Sequence, residues 1–191
     1  RRLNRPCGAE GENQMNECIE MMKQRRSVKR YNPNRPVEPE KLEQILEAGM
    51  YAPSGYGKQS PRIIVVRDPG TRDLLSRLNA RFLGKEIDPF YGAPTVLIVL
   101  ADRAQPTFLY DGTLVMGNLL NAAHALGVDS CWVHRAKEVF DCPEGKALLE
   151  KWGIAGDYEG IGHCILGYGA GPAPKAGPRK AGYAVYVSPD E

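Results

Sequence analysis

The stretch that most limits the possible folds is Leu114-Val115-Met116-Gly117-Asn118-Leu119-Leu120-Asn121-Ala122-Ala123-His124-Ala125-Leu126. It lies in a helix predicted from Phe108 to Gly127 and carries little charge on any side. A helix that is apolar on most of its surface has to be covered, either by a core or by a subunit interface. Gly127 suits the residue that closes such a helix. The longest apolar run, Ala93 to Ala101, contains a predicted strand Thr95–Leu100 buried on both faces, and is far too short to span a bilayer. The chain of 191 residues is long enough to build a real core around this pair.

Other elements follow from periodicity and punctuation. Helical spacing of Cys18, Ile19 and Met22, with acids near the start, predicts a helix over Met15–Gln24. A second helix is predicted over Val37–Met50, with Pro39 in its first turn and Leu42, Ile45, Leu46 and Gly49 on one face. Ile63-Ile64-Val65-Val66 reads as a short strand ended by an Asp68-Pro69-Gly70 turn, before a helix from Thr71 to Arg81 with Leu74, Leu75 and Leu78 inward. Phe82–Tyr91 is a polar and aromatic link. Val128–His134 reads as a short strand or edge. A helix is expected from Asp141 as cap to about Trp152. Gly160–Gly169 reads as a strand, and Ala181–Val187 as an edge strand. Residues 1–14 lack periodicity and read as a disordered or vector-derived tail, with Met15 the natural start. Residues 15–191 read as one domain in which strands and helices alternate, in an α+β or α/β manner.

Composition excludes several classes. Acids nearly balance bases, for a net charge of +2, so nothing points to a nucleic-acid partner. No apolar run follows the basic N-terminus, so no signal peptide is read. The five cysteines (Cys7, Cys18, Cys131, Cys142, Cys164) show no tight pairing, which argues for a reducing, cytoplasmic setting rather than a disulfide scaffold. No CxxC or HxxxH spacing marks a metal site.

Two stretches carry chemistry. Arg25-Arg26-Ser27-Val28-Lys29-Arg30-Tyr31 sets positive side chains around a hydroxyl. It reads either as a solvated basic patch or as a phosphate clamp, with Ser27 and Lys29 on the same side if the chain is extended. Tyr51–Pro61 is dense in Gly, Pro and hydrogen-bonding side chains, as in a loop that approaches a ligand closely. A second basic cluster, Lys175, Arg179 and Lys180, sits far away in sequence and could meet the same phosphate. Of the histidines, His163 reads as core and His124 as packing or interface. His134 and Trp132 are open between structural and ligand-side roles.

The ordered set Arg25-Arg26-Ser27-Val28-Lys29, Ala52-Pro53-Ser54 with Gln59, Gly127 with Cys131-Trp132, and Ile165-Leu166-Gly167-Tyr168 with Arg179-Lys180 resembles the nitroreductase family of flavin oxidoreductases. The resemblance runs from about Asn16 to Val187. It implies an α+β fold, with a central mostly antiparallel sheet surrounded by helices, and a homodimer whose interface holds the long apolar helix and two FMN molecules. It assigns Arg25, Ser27 and Lys29, with Arg26 close by, to FMN. Pro53, Ser54, Gly57 and Gln59 would come from the other subunit. Trp132, Val133 and His134 would lie along the ring, and Lys175, Arg179 and Lys180 at the phosphate. The family loop commonly reads Pro-Ser-x-x-Asn-x-Gln-Pro-Trp. Here Gly57 replaces the Asn, leaving only a backbone N–H to donate, and Ser60-Pro61 replaces the Pro-Trp pair. The implied function is an NAD(P)H-dependent oxidoreductase that passes electrons in ping-pong order to a nitroaromatic, quinone or similar acceptor. The flavin is the reacting centre, and no catalytic side chain is required. Loop position puts Tyr56, Lys58, Phe90 and Tyr91 on the substrate side. Gly160-Ile161-Gly162 precedes a strand rather than following one, so no separate dinucleotide domain is expected, and NADH or NADPH would bind transiently. The alternative is a non-redox module that binds FMN or a nucleotide by its phosphate.

Overall fold

The computed structural model describes residues 16–172 and 174–187; the expected tail at residues 1–14 lies outside them. Among the described residues six α-helices and four strands follow one another as α1 (Glu17–Gln24), α2 (Pro39–Met50), β1 (Pro61–Val66), α3 (Pro69–Leu83), β2 (Thr95–Asp102), α4 (Phe108–Ala125), β3 (Asp129–Val133), α5 (Ala136–Asp141), α6 (Pro143–Lys151) and β4 (Tyr158–Gly167). The strands form one sheet in the order β1-β2-β4-β3, antiparallel at every step. The α+β class and the antiparallel sheet surrounded by helices are as expected.

The sheet has a core on each face. Leu97, Val99, Cys164 and Leu166 pack against Ile45 of α2 and Met116 and Leu119 of α4. Val96, Ile98, Leu100 and Ile165 pack against Leu75 of α3 and Val139 and Phe140 of α5. With both faces covered, β2 reads as an uninterrupted apolar run. Helix α4 buries Val115, Met116, Leu119, Leu120 and Ala123, yet leaves Leu109, Tyr110 and Leu114 about half exposed or more. The core reading of its apolar surface therefore holds for one side of the helix, and the other side is left uncovered by this chain. Gly127 follows its last turn with φ 68, and its N–H donates to the His124 carbonyl.

Three local expectations need correction. Asp68-Pro69-Gly70 is the start of α3: the Asp68 carboxylate accepts from the Thr71 N–H at 2.7 Å, and Pro69 fills the first turn. Asp141 does not cap α6. It ends α5, a helix the sequence reading missed, and its carboxylate faces Arg103 and Lys137, each at 2.8 Å. Residues 181–187 pair with no strand, and Tyr183, Val185, Tyr186 and Val187 are more than four-fifths exposed. Helix α1 forms as read, but none of its residues is buried. Among the described residues, no helix is long and apolar enough to cross a membrane.

Candidate functional site

The chain leaves α1 at Arg25 in an extended conformation and runs beside the start of β3. Ser27 bridges Ser130, and the Val28 N–H donates to the Ser130 carbonyl at 3.0 Å. Val28 is buried while Lys29 is exposed, as alternation along an extended chain requires. Ser27 and Lys29 therefore share the outward side. Arg26 turns away: its guanidinium donates to the Lys23 and Arg25 carbonyls and so satisfies the end of α1. Arg25 keeps a buried Nη1 with no hydrogen-bond partner. Such an atom costs free energy unless an acceptor reaches it.

Lys29 opens onto a cleft of about 230 Å³ that is also lined by Asn79, Tyr91, Trp132, Val133, His134 and Arg135. The end of β3, with His134 and Arg135 after it, and Lys29 of the basic stretch thus line one cleft. Burial pushes the Cys131 thiol up, against the opposing pull of Ser27, Lys29 and Arg25, so this cysteine is a protonated wall and not a nucleophile. Arg135, which follows His134, has φ 72, a left-handed conformation that disfavours side chains. Its Nε is buried and unpartnered, as is Trp132 Nε1.

The loop from Pro53 to Gln59 lies elsewhere. Pro53, Ser54 and Gln59 line a separate apolar groove of about 550 Å³ with Met50, Arg62 and Ile63. Tyr56, Gly57 and Gln59 all have positive φ, at 52°, 65° and 49°. The Gly57 N–H donates to Ser54 O at 3.0 Å, so the donor expected to replace the missing Asn is already engaged. Tyr56 and Lys58 are exposed at the tip. The strand register gives the distance between the two regions. Ser130 aligns through Leu166 with Thr95, whereas Pro61 pairs with Ala101 at the other end of β2. Three interstrand steps and six residues of strand rise put these corners roughly 25 Å apart. One protomer cannot close both around one small ligand.

The remaining site residues divide. Tyr91 lines the cleft, but Phe90 is wholly buried with its ring centroid 5.1 Å from that of His163, and so cannot face a substrate. Asp88 rotates it inward by accepting from the Phe90 and Gly92 N–H groups at 3.0 and 2.7 Å. His163 is core, as expected: burial lowers its pKa to about 4, so the ring is neutral. Lys175, Arg179 and Lys180 lie on an exposed arm. The arm starts beside the basic stretch, where the Ala170 N–H donates to Arg30 O, but Arg179 bonds only to the Gly177 carbonyl. Among the described residues no group of three or more His, Cys, Asp or Glu side chains could hold a metal ion.

Sequence reasoning missed two buried polar anchors. Asn79 lies on the inward face of α3, four residues after Leu75, and its Nδ2 donates to the His134 carbonyl at 2.7 Å. Asp111 is a lone acid on the most apolar helix, and it bonds to the Gly55 N–H at 2.9 Å. A polar residue at an apolar position was the available signal in both cases.

The nitroreductase family model matches residues 22–168. A protein of Archaeoglobus fulgidus, provisionally named NADH dehydrogenase/NAD(P)H nitroreductase, is 33% identical over 161 residues, which cover 81% of this chain and 86% of that one. A protein of Thermus thermophilus named NADH dehydrogenase is 31% identical over 159 residues, 80% of this chain and 70% of its own. Among solved structures, a nitroreductase with bound FMN from Bacteroides fragilis superposes with a TM-score of 0.83 at 30% identity, covering 91% of this chain and all of that one. The chain belongs to the nitroreductase family.

Proposed function

We propose that the protein is an FMN-dependent oxidoreductase that takes hydride from NADH or NADPH and reduces a small organic acceptor, such as a nitroaromatic or a quinone, in ping-pong order. It acts as a homodimer in a reducing compartment. The observation that carries this reading is the buried, unpartnered Nη1 of Arg25, on the same short segment as Ser27 and as Lys29, which lines the Trp132–His134 cleft. These donors fit a phosphorylated, anionic cofactor, and the family relatives named for NAD(P)H activity and for bound FMN support its identity. Bound FMN supplies the two-electron chemistry that no side chain here provides.

The chain's own residues bind and orient. Arg25 and Lys29 neutralise anionic groups, Ser27 adds a hydroxyl, and Trp132, Val133 and His134 wall the ring. Lys29 would also favour negative charge on a flavin held in this cleft. The Pro53–Gln59 loop, roughly 25 Å away by strand spacing, serves the partner's cofactor. The exposed side of α4 (Leu109, Tyr110, Leu114) and the exposed 183–187 arm supply apolar surface for that pairing.

The test is the visible spectrum of the purified protein before and after anaerobic NADH or NADPH. Flavin absorption that bleaches supports the proposal. A yellow protein that stays yellow with both donors points to the non-redox binding module instead. A colourless protein that cannot be reconstituted with FMN overturns the flavin reading and favours a module that binds a nucleotide by its phosphate.

A further inference from the structure

We propose that Asp111 is a positioning residue: one buried carboxylate clamps both ends of the loop that, on the reading above, reaches the partner's FMN. Asp111 sits in the first turn of α4 and is 2% exposed. Its Oδ1 accepts from the Gly55 N–H at 2.9 Å. Its Oδ2 accepts from the Ser60 hydroxyl at 2.9 Å and the Thr107 hydroxyl at 3.1 Å. Gly55 and Ser60 bracket Tyr56, Gly57, Lys58 and Gln59, so the loop leaves and returns at the same side chain.

The local fit is close. A Cβ at Gly55 would stand 2.2 Å from Thr107 Oγ1, so the loop rests directly on the start of α4 and tolerates only glycine there. Between the clamped ends, Tyr56 and Gln59 hold positive φ without being glycine. Side chains seldom adopt that conformation unless the surroundings impose it. The Ser54 hydroxyl accepting from the Gln59 N–H at 3.0 Å is the only other side-chain bond within the loop. Tyr56 at the tip is 94% exposed and has no packing of its own. The clamp therefore sets the loop's shape, and through it the position of Gly57 and Gln59, while Asp111 itself touches no ligand.

The experiment compares wild type with Asp111→Asn, Asp111→Ala and Ser60→Ala by amide hydrogen exchange and by FMN titration of the apoprotein. Loss of buried bonds to a carboxylate predicts exchange across residues 55–60 at least about tenfold faster in Asp111→Ala, with β2 and β4 unchanged, and an FMN Kd raised by about tenfold or more. Asn still accepts from the Gly55 N–H, so Asp111→Asn falls between. Ser60→Ala releases one end of the loop, and decides the matter if Asp111→Ala does not fold. Unchanged loop exchange in the variants that fold overturns the clamp. Faster exchange with unchanged FMN Kd overturns its positioning role, since a merely structural bond would behave that way. If wild type takes up no FMN, the flavin reading fails along with the positioning role, and the exchange data still decide whether the clamp exists.

Discussion

The side-chain amide of Asn79 donates to the carbonyl of His134 at 2.7 Å, tying the middle of α3 to the segment that walls the candidate cofactor cleft. Asn79 is 1% exposed, and the same Nδ2 lies 3.5 Å from His163 Nδ1. Asn79→Ala removes the donor and frees the cleft wall. A loss of about 1–2 kcal/mol is expected in urea unfolding, together with weaker FMN binding. Stability within about 0.3 kcal/mol of wild type would show that the bond holds nothing in place.

Arg135, with φ 72 at the start of α5, is the converse case of a side chain where glycine is favoured. Arg135→Gly should raise stability by about 1 kcal/mol by relieving the left-handed conformation, whereas Arg135→Val should lower it. Thermal unfolding of the two variants side by side checks the sign. Destabilisation by both would mean that the guanidinium contributes more than the backbone costs.

The His163 ring is buried between Phe90 and Phe140 with its pKa lowered to about 4, chiefly by burial. Its unfolded pKa is near 6.5, so between pH 6.5 and 4 the unfolded chain takes up a proton that the folded protein refuses. The stability this group contributes is complete above pH 6.5 and is lost as pH falls toward 4, a change of about 3 kcal/mol across the window. Glu144, held at about 2 chiefly by hydrogen bonding to Arg81, changes stability only from about pH 4.5 downward, at the low edge of that window. Urea unfolding from pH 7 to 4.5 should show a slope for wild type that is much reduced in His163→Leu. Parallel slopes would assign the pH dependence to other groups.

Leu114 is 45% exposed on the outer side of α4, so a charge there leaves the protomer's own core intact. Leu114→Glu should convert a dimer into folded monomer by light scattering, and the monomer should retain little FMN, because in the proposed dimer each site draws on both subunits. A monomeric wild type, or a monomeric variant with full FMN content, would contradict the shared site.

The residues most legible in the sequence were those whose neighbours are local or uniformly apolar. Strand β2 is buried on both faces and reads as one apolar run; α2 and α4 are long enough for their spacing to show. The sequence left open whether the basic stretch is extended; the Ser27–Ser130 bridge makes it so, and alternation then puts Ser27 and Lys29 on one side. Helix α5 escaped because Ala136–Asp141 spans fewer than two turns, too short for a period to emerge. Phe90 was misassigned because Asp88, through two backbone N–H groups, decides which way the turn faces. Ala181–Val187 has a strand's alternation but no neighbouring strand in its own protomer. Asn79 and Asp111 were visible only as polar exceptions on apolar faces, and their partners, 55 and 56 residues away, are set by the tertiary fold.

The diagonal placement of the basic stretch and the Pro53–Gln59 loop has a consequence for mixed assemblies. In the proposed dimer each chain gives one half of itself to each of two sites. A chain crippled at Lys29 and a chain crippled in its loop would both be inactive alone. Co-assembled, they would confine the two lesions to one site and leave the other built wholly from sound parts. Two inactive alleles of this chain would then complement each other, and two lesions on the same half would not.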